Sequence, residues 1–190
     1  MRLSLTYVLI AINLLIFIAE IPVGGSTNRE TSLRFGAQYT PLLERGQWFR
    51  LFSSLFVHCG FWHLICNMYS LYCLGPALEN IFGKTVFLII YLLSGICGNL
   101  LTWKLEKMKG DYRVSMGASG AVFGLLGSCL VLAVLPATAH VFSIRGIISV
   151  LIVNIVYGVT NKSINNAAHL GGFAGGAVIT LILAAIMKMF

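Results

Sequence analysis

Six apolar stretches, each close to bilayer-crossing length, decide what this chain can be. A helix needs about 20 consecutive apolar residues to span the hydrocarbon core. Such runs lie at roughly 3–23, 61–78, 85–103, 117–135, 141–159 and 167–187. In a chain of 190 residues they leave no room for a second core, so residues 1–190 are expected to form one all-α domain. That domain is read as a polytopic membrane protein, a six-transmembrane-helix bundle. Composition agrees, with 58% hydrophobic and 10% charged residues, more apolar surface than a soluble domain of this size can bury. The formal charge of +7 does not call for nucleic acid, because the basic residues sit in short loops where they face lipid headgroups. The first run is read as a span rather than a cleaved leader, since no small-residue cleavage site clearly follows it.

The connection over 24–60 is too long and too apolar for an ordinary loop. Within it Trp48, Leu51, Phe52, Leu55 and Phe56 fall on one helical face, too short to cross. A partly membrane-embedded first loop, with an interfacial or re-entrant helix, is the expectation. Trp62 and Trp103 at span ends suit interface anchors. Spans four and six carry small residues at helical spacing, Gly120/Gly124, Gly171/Gly175 and Gly172/Gly176, which lets helix backbones nearly touch. The cysteines (59, 66, 73, 97, 129) are odd in number, and most lie in apolar spans. They read as small buried hydrophobes rather than as a disulfide or metal framework.

Polar side chains inside spans are few, so each is a site candidate. His63 and Asn67 are one helical turn apart near the start of span two. Ser119 opens span four in Met116-Gly117-Ala118-Ser119-Gly120, and His169 stands near the start of span six. Spans two, four and six enter from the same side of the membrane, so counting crossings alone gathers the four groups in one leaflet. Taken singly, Ser119 is a small interface residue, His169 a bond to a neighbouring helix, and His63 and Asn67 a capping pair. Four such readings at matched depth would be a coincidence.

A serine in the first turn of a helix has unpaired backbone N–H groups and the positive end of the helix dipole beside it. That setting suits a nucleophile whose tetrahedral intermediate is an oxyanion. His169 is read as the base that takes the Ser119 proton and later returns one to the leaving amine. The Ser119 N–H, the Asn67 amide and His63 are candidate oxyanion donors. The six acids, Glu20, Glu30, Glu44, Glu79, Glu106 and Asp111, offer none deep in a span to orient His169, which makes a dyad with slow turnover the expectation. Zinc chemistry of the His-Glu-x-x-His kind is absent from the sequence, and a pair of aspartates is impossible because Asp111 is the sole aspartate.

These motifs resemble those of the rhomboid family of intramembrane serine proteases, in its minimal six-span bacterial form. The resemblance runs through Trp48-Phe49-Arg50, the His63 to Asn67 turn, Gly117-Ala118-Ser119-Gly120, and Ala168-His169 with Gly172 and Gly176. It implies cleavage of single-span transmembrane substrates near the membrane surface, with no metal or cofactor, in a bacterial plasma membrane. It assigns Ser119 as nucleophile, His169 as base, and His63 and Asn67 to the oxyanion site, with Gly117, Gly120 and Phe123 in support. Phe123 departs from the pattern, since many members carry a tyrosine beneath the histidine. Family topology places the active site outside. The basic residues oppose this: Arg2, Lys84, Arg145 and Lys188 would lie inside, against Arg29, Arg34, Arg45, Arg50, Lys104, Lys107, Lys109, Arg113 and Lys162 outside. A substrate helix must unwind to present its carbonyl, so weak helix formers near the surface are expected to favour cleavage. A catalytically dead relative would lack the serine or histidine, and a small transporter would want deep ionisable groups or interrupted repeats. Neither pattern is found here.

Overall fold

The computed structural model describes residues 4–161 and 163–189. Arg2, Leu3 and Lys162, used above in the charge count and the first span, lie outside the described residues. Among the described residues the regular structure is helical, apart from one isolated bridge between Gln38 and Ser115. Helix α1 is Leu5–Glu20, continued by a short 3-10 turn to Val23. Three short helices follow in the first loop: α2 (Arg29–Arg34), α3 (Thr40–Leu43) and α4 (Arg50–Ser53). The long elements are α5 (Phe61–Phe82), α6 (Lys84–Lys109), α7 (Ser119–Val134), α8 (Ile144–Thr160) and α9 (Asn166–Ile186).

Among the described residues, three helices are both long and apolar enough to cross a membrane: Leu5–Val23, Lys84–Lys109 and Asn166–Ile186. A fourth arises if Arg50–Phe56 and Phe61–Phe82, which meet at 94°, are taken as one broken span. The fourth and fifth expected runs are shorter than their apolar stretches. Helix α7 begins only at Ser119 because Gly117 sits at φ +124, and it ends at Val134 because Leu135 is extended ahead of Pro136. Helix α8 starts at Ile144, where the Ser143 side chain accepts from Gly146 N–H. Helix α6 outruns its expected span in the other direction. The charged stretch from Lys104 is helix as far as Lys109, closed by left-handed Gly110, so the loop proper is short.

The embedded first loop also differs in detail. The expected single face is split between α4 and a 3-10 turn over Ser54–Phe56, so Leu55 and Phe56 are buried while Trp48 and Phe52 stay exposed. Polar stitching explains why it stays folded. The buried Arg50 guanidinium donates to the carbonyls of Leu33 and Ala37 and, through Nε, to Gln47 Oε1. The Asn99 amide on α6 donates to Leu51 O and Ser54 Oγ, and Gln38 Nε2 donates back to Asn99 O. Trp103 Nε1 donates to Glu44 at 2.7 Å and its ring meets Trp48 edge-on, which ties α6 to the loop as well as to the interface.

Helices α6, α7 and α9 make the tightest core, α1 lies along α5, and α8 is the most loosely held of the long helices. Close approach is set by glycine. A Cβ on Gly172 would run into the Gly120 carbonyl, and one on Gly176 into the Gly124 carbonyl, so α9 lies backbone to backbone on α7. Gly171 and Gly175 face the other way, onto Cys97 and Gly98 of α6. A second device joins α1 to α5. The Glu79 carboxylate accepts Ser4 Oγ (2.6 Å), the N–H groups of Leu5 (2.9 Å) and Thr6 (3.0 Å), and Thr6 Oγ1 (3.0 Å). An anion on the otherwise unpaired donors at a helix start is a favourable cap. All five cysteines are free, but Cys59, just before α5, and Cys66 and Cys73 on it are exposed rather than buried, which corrects the expectation for those three.

Candidate active site

The sequence candidates converge on one cavity of about 880 Å³, lined by residues of α5, α6, α7, α8 and the start of α9. His63, Asn67, Gly117, Ser119, Phe123 and His169 all line it. Each of the three helices brings its residue near its own first turn: His63 is third in α5, Ser119 first in α7, His169 fourth in α9. Gly120 stands apart from the cavity wall. It lies against α9, where a Cβ would be 3.4 Å from Ala168 O. The residues that follow Ser119 and precede His169 are therefore in contact, which fixes the two helices side by side at this height.

The segment before Ser119 is built around Gly117. At φ +124 this position favours glycine, and an added Cβ would lie 2.5 Å from His63 Cε1. The imidazole of His63 thus packs over the bare Cα. Gly117 N–H donates to Ser54 O at 2.9 Å and Ala118 N–H to His58 Nε2 at 3.4 Å. The first intrahelical bond of α7 runs from Val122 N–H to Ala118 O, which leaves Ser119, Gly120 and Ala121 as the leading donors of the helix. Asn67 is buried and gives one amide hydrogen to His63 O at 2.9 Å. The amide carries a second hydrogen for another acceptor. The ring of His169 stacks on Phe123, centroids 4.0 Å apart and planes 11° from parallel.

Several cavity residues had no signal as such in the sequence. Asn165 precedes α9, and its side chain bonds to Ala168 N–H, Ser115 and Thr102. Asparagine just ahead of a helix is a recognisable N-cap, but its two lateral bonds are tertiary facts. His58, wholly buried behind the cavity lining, lies beside His63 with ring centroids 5.3 Å apart. Asn154 and Tyr157 reach the cavity from α8, while Glu106, Lys109, Asp111 and Arg113 stand at its rim. In sequence these six look like ordinary loop or helix-face residues.

Membrane-length apolar helices around a cavity lined by Ser119, His63, His169 and Asn67 mark an integral membrane protein. The Rhomboid domain family model matches residues 45–186, and on that match the chain belongs to the rhomboid family. It is 37% identical over 174 residues to the rhomboid protease GluP of Bacillus subtilis, covering 91% of this chain and 33% of that protein. Identity is 38% over 141 residues with the putative rhomboid protease YdcA of the same organism, covering 72% of this chain and 68% of the relative. With RHOMBOID-like protein 5 of Arabidopsis thaliana it is 36% over 156 residues, covering 80% and 50%. The chain thus spans a third of GluP, about two thirds of YdcA and half of the plant relative.

Proposed function

We propose that this chain is an intramembrane serine endopeptidase that cuts single-span membrane proteins in or near their transmembrane segment, using Ser119 and His169 as a dyad. The observation that carries the reading is the shared cavity: Ser119 and His169 line it from two helices whose backbones touch at Gly120 and Ala168. Resemblance to relatives named as rhomboid proteases supports the same reading.

In the proposed reaction Ser119 Oγ attacks the scissile carbonyl carbon while neutral His169 takes its proton. The carbonyl oxygen becomes an oxyanion held by the Ser119 N–H, the second Asn67 amide hydrogen and His63. Each such donor is worth about 3 kcal/mol in soluble hydrolases. Collapse breaks the C–N bond, and the protonated His169 gives its proton to the departing amine. Water, deprotonated by His169, then releases the acyl group from Ser119. Gly117 keeps His63 close, Gly120 keeps the two helices close, and Phe123 supports the imidazole from its face. With no carboxylate behind His169, turnover is slow: loss of the orienting acid costs a soluble triad enzyme about 10⁴ in rate.

The proposal includes the wider architecture. Residues 1–190 act as one rhomboid domain, with α1, α5, α6, α7, α8 and α9 each crossing the membrane. The 16 residues of α7 measure about 24 Å, so the bilayer thins beside it. The site opens to the outer face of a bacterial plasma membrane, where lipid headgroups and a substrate helix meet the cavity mouth. The experiment is incubation with a fluorophosphonate probe and with a model single-span substrate in detergent. Wild type is expected to be labelled and to cut, while Ser119→Ala and His169→Ala do neither. A folded wild type that takes no label would make the chain a binding relative instead of a protease.

A further inference from the structure

We propose that Asn165 is a positioning residue that holds the Ser119 segment in register with His169, acting through the Ser115 hydroxyl; this rests on the hydrolase reading above. Asn165 stands four residues before His169, and Ser115 four residues before Ser119. Asn165 Nδ2 donates to Ser115 Oγ at 2.7 Å, so the two segments are pinned four residues ahead of the two reacting groups.

The surrounding bonds make this contact a defined one. Asn165 Oδ1 accepts Ala168 N–H at 3.0 Å and its backbone carbonyl accepts His169 N–H at 3.2 Å, so the residue caps the very turn that carries the base. With Oδ1 committed to a backbone donor, the amide orientation is set and Nδ2 must point at the hydroxyls. Nδ2 also donates to Thr102 Oγ1 at 3.0 Å, and the Thr102 hydroxyl has two acceptors in reach, Gly98 O at 3.0 Å and Asn165 Oδ1 at 3.2 Å. The amide is thereby anchored to α6. On the other side Ser115 is fixed by its backbone, which exchanges two bonds with Gln38, at 2.8 and 2.9 Å. Between Ser115 and Ser119 lies Gly117 at φ +124, its own N–H bonded to Ser54 O at 2.9 Å. These backbone bonds tie the segment to the first loop. The Asn165 to Ser115 bond ties it to the helix that also carries His169.

Misplacement of a reacting group by about 1 Å costs up to about 100-fold in rate. The test uses the full chain in detergent and three variants. Ser115→Ala removes the hydroxyl but leaves the α9 cap. Asn165→Ser keeps a capping oxygen but is too short to reach Ser115. Ser115→Thr restores a hydroxyl. Ser115→Ala and Asn165→Ser are each expected to lower kcat and the fluorophosphonate labelling rate by about 10- to 100-fold, with KM and Tm unchanged. The double variant should lose no more than Asn165→Ser alone, because that change already removes the bond to Ser115, and Ser115→Thr should recover most of the rate. Wild-type labelling in Ser115→Ala overturns the inference, as do losses that multiply in the double variant or that follow a fall in Tm. A wild type that is labelled while these variants are unaffected sinks this inference alone. A wild type that is never labelled sinks the hydrolase reading and this inference with it.

Discussion

Phe123 lies one helical turn beyond Ser119 on α7, and its ring lies flat against His169. In the proposed dyad, with no orienting carboxylate hydrogen-bonded to His169 among the described residues, that face would limit rotation of the imidazole. Ring contacts of this kind are worth about 0.5–1.5 kcal/mol beyond the area they bury. Phe123→Ala is therefore expected to lower kcat by up to about tenfold, while Phe123→Tyr keeps the stack and the rate. Single-turnover cleavage measured on folded protein decides it, and an undiminished rate in Phe123→Ala would remove the ring from the mechanism. The position of Phe123, four residues after Ser119, was readable from the chain. That its partner is His169 was readable only through resemblance. No local pattern relates residues 123 and 169, and only the packing of α7 on α9 brings them together.

At the level of helices, the glycine pairs noted in the sequence prove unequal. A Cβ on Gly172 would meet the backbone carbonyl of Gly120, which cannot move aside. A Cβ on Gly120 would rest at 3.4 Å from Ala168 O, close to ordinary contact. Gly172→Ala should therefore cost about 1–3 kcal/mol of stability as overpacking, and Gly120→Ala distinctly less. Thermal unfolding of the two variants in one detergent tests this, and equal losses would contradict the described register of α7 and α9. The spacing alone showed that glycines line a helix face. It did not show which of two facing glycines is intolerant, because that depends on which carbonyl each Cα opposes. The same holds for helix ends. Apolar content extended α7 to residues 117–135, whereas the backbone at Gly117 and Leu135 ends it sooner.

For the molecule as a whole, the unresolved tension is between basic residues and the expected outward-facing site. In the fold, several of those residues are engaged on the site's side. Arg50 is buried among carbonyls, and Lys107, Arg113 and Arg34 pair with Glu44, Asp111 and Glu30. The expected result is that Lys107→Cys, with the exposed Cys59, Cys66 and Cys73 changed to alanine, reacts with an impermeant thiol reagent on intact cells. Protection until lysis would turn the site toward the cytoplasm. Losing the Lys107 to Glu44 pair should matter little to stability, since it is exposed to water.

Apolar run length determined by itself that the chain is helical and belongs in a membrane, because a bilayer accepts few other backbone arrangements. Counting crossings led to the expectation that His63, Asn67, Ser119 and His169 share a leaflet, since direction alternates with each span, and the structure sets all four on one cavity. The tertiary structure decided what run length cannot encode: the 94° break before α5, the early start of α7 at Ser119, and the Asn165 to Ser115 bond. Each of these depends on which atoms of distant segments meet. Hydrophobic periodicity reports burial, not the identity of the neighbour, and so the wiring around the cavity becomes visible only when the helices are packed.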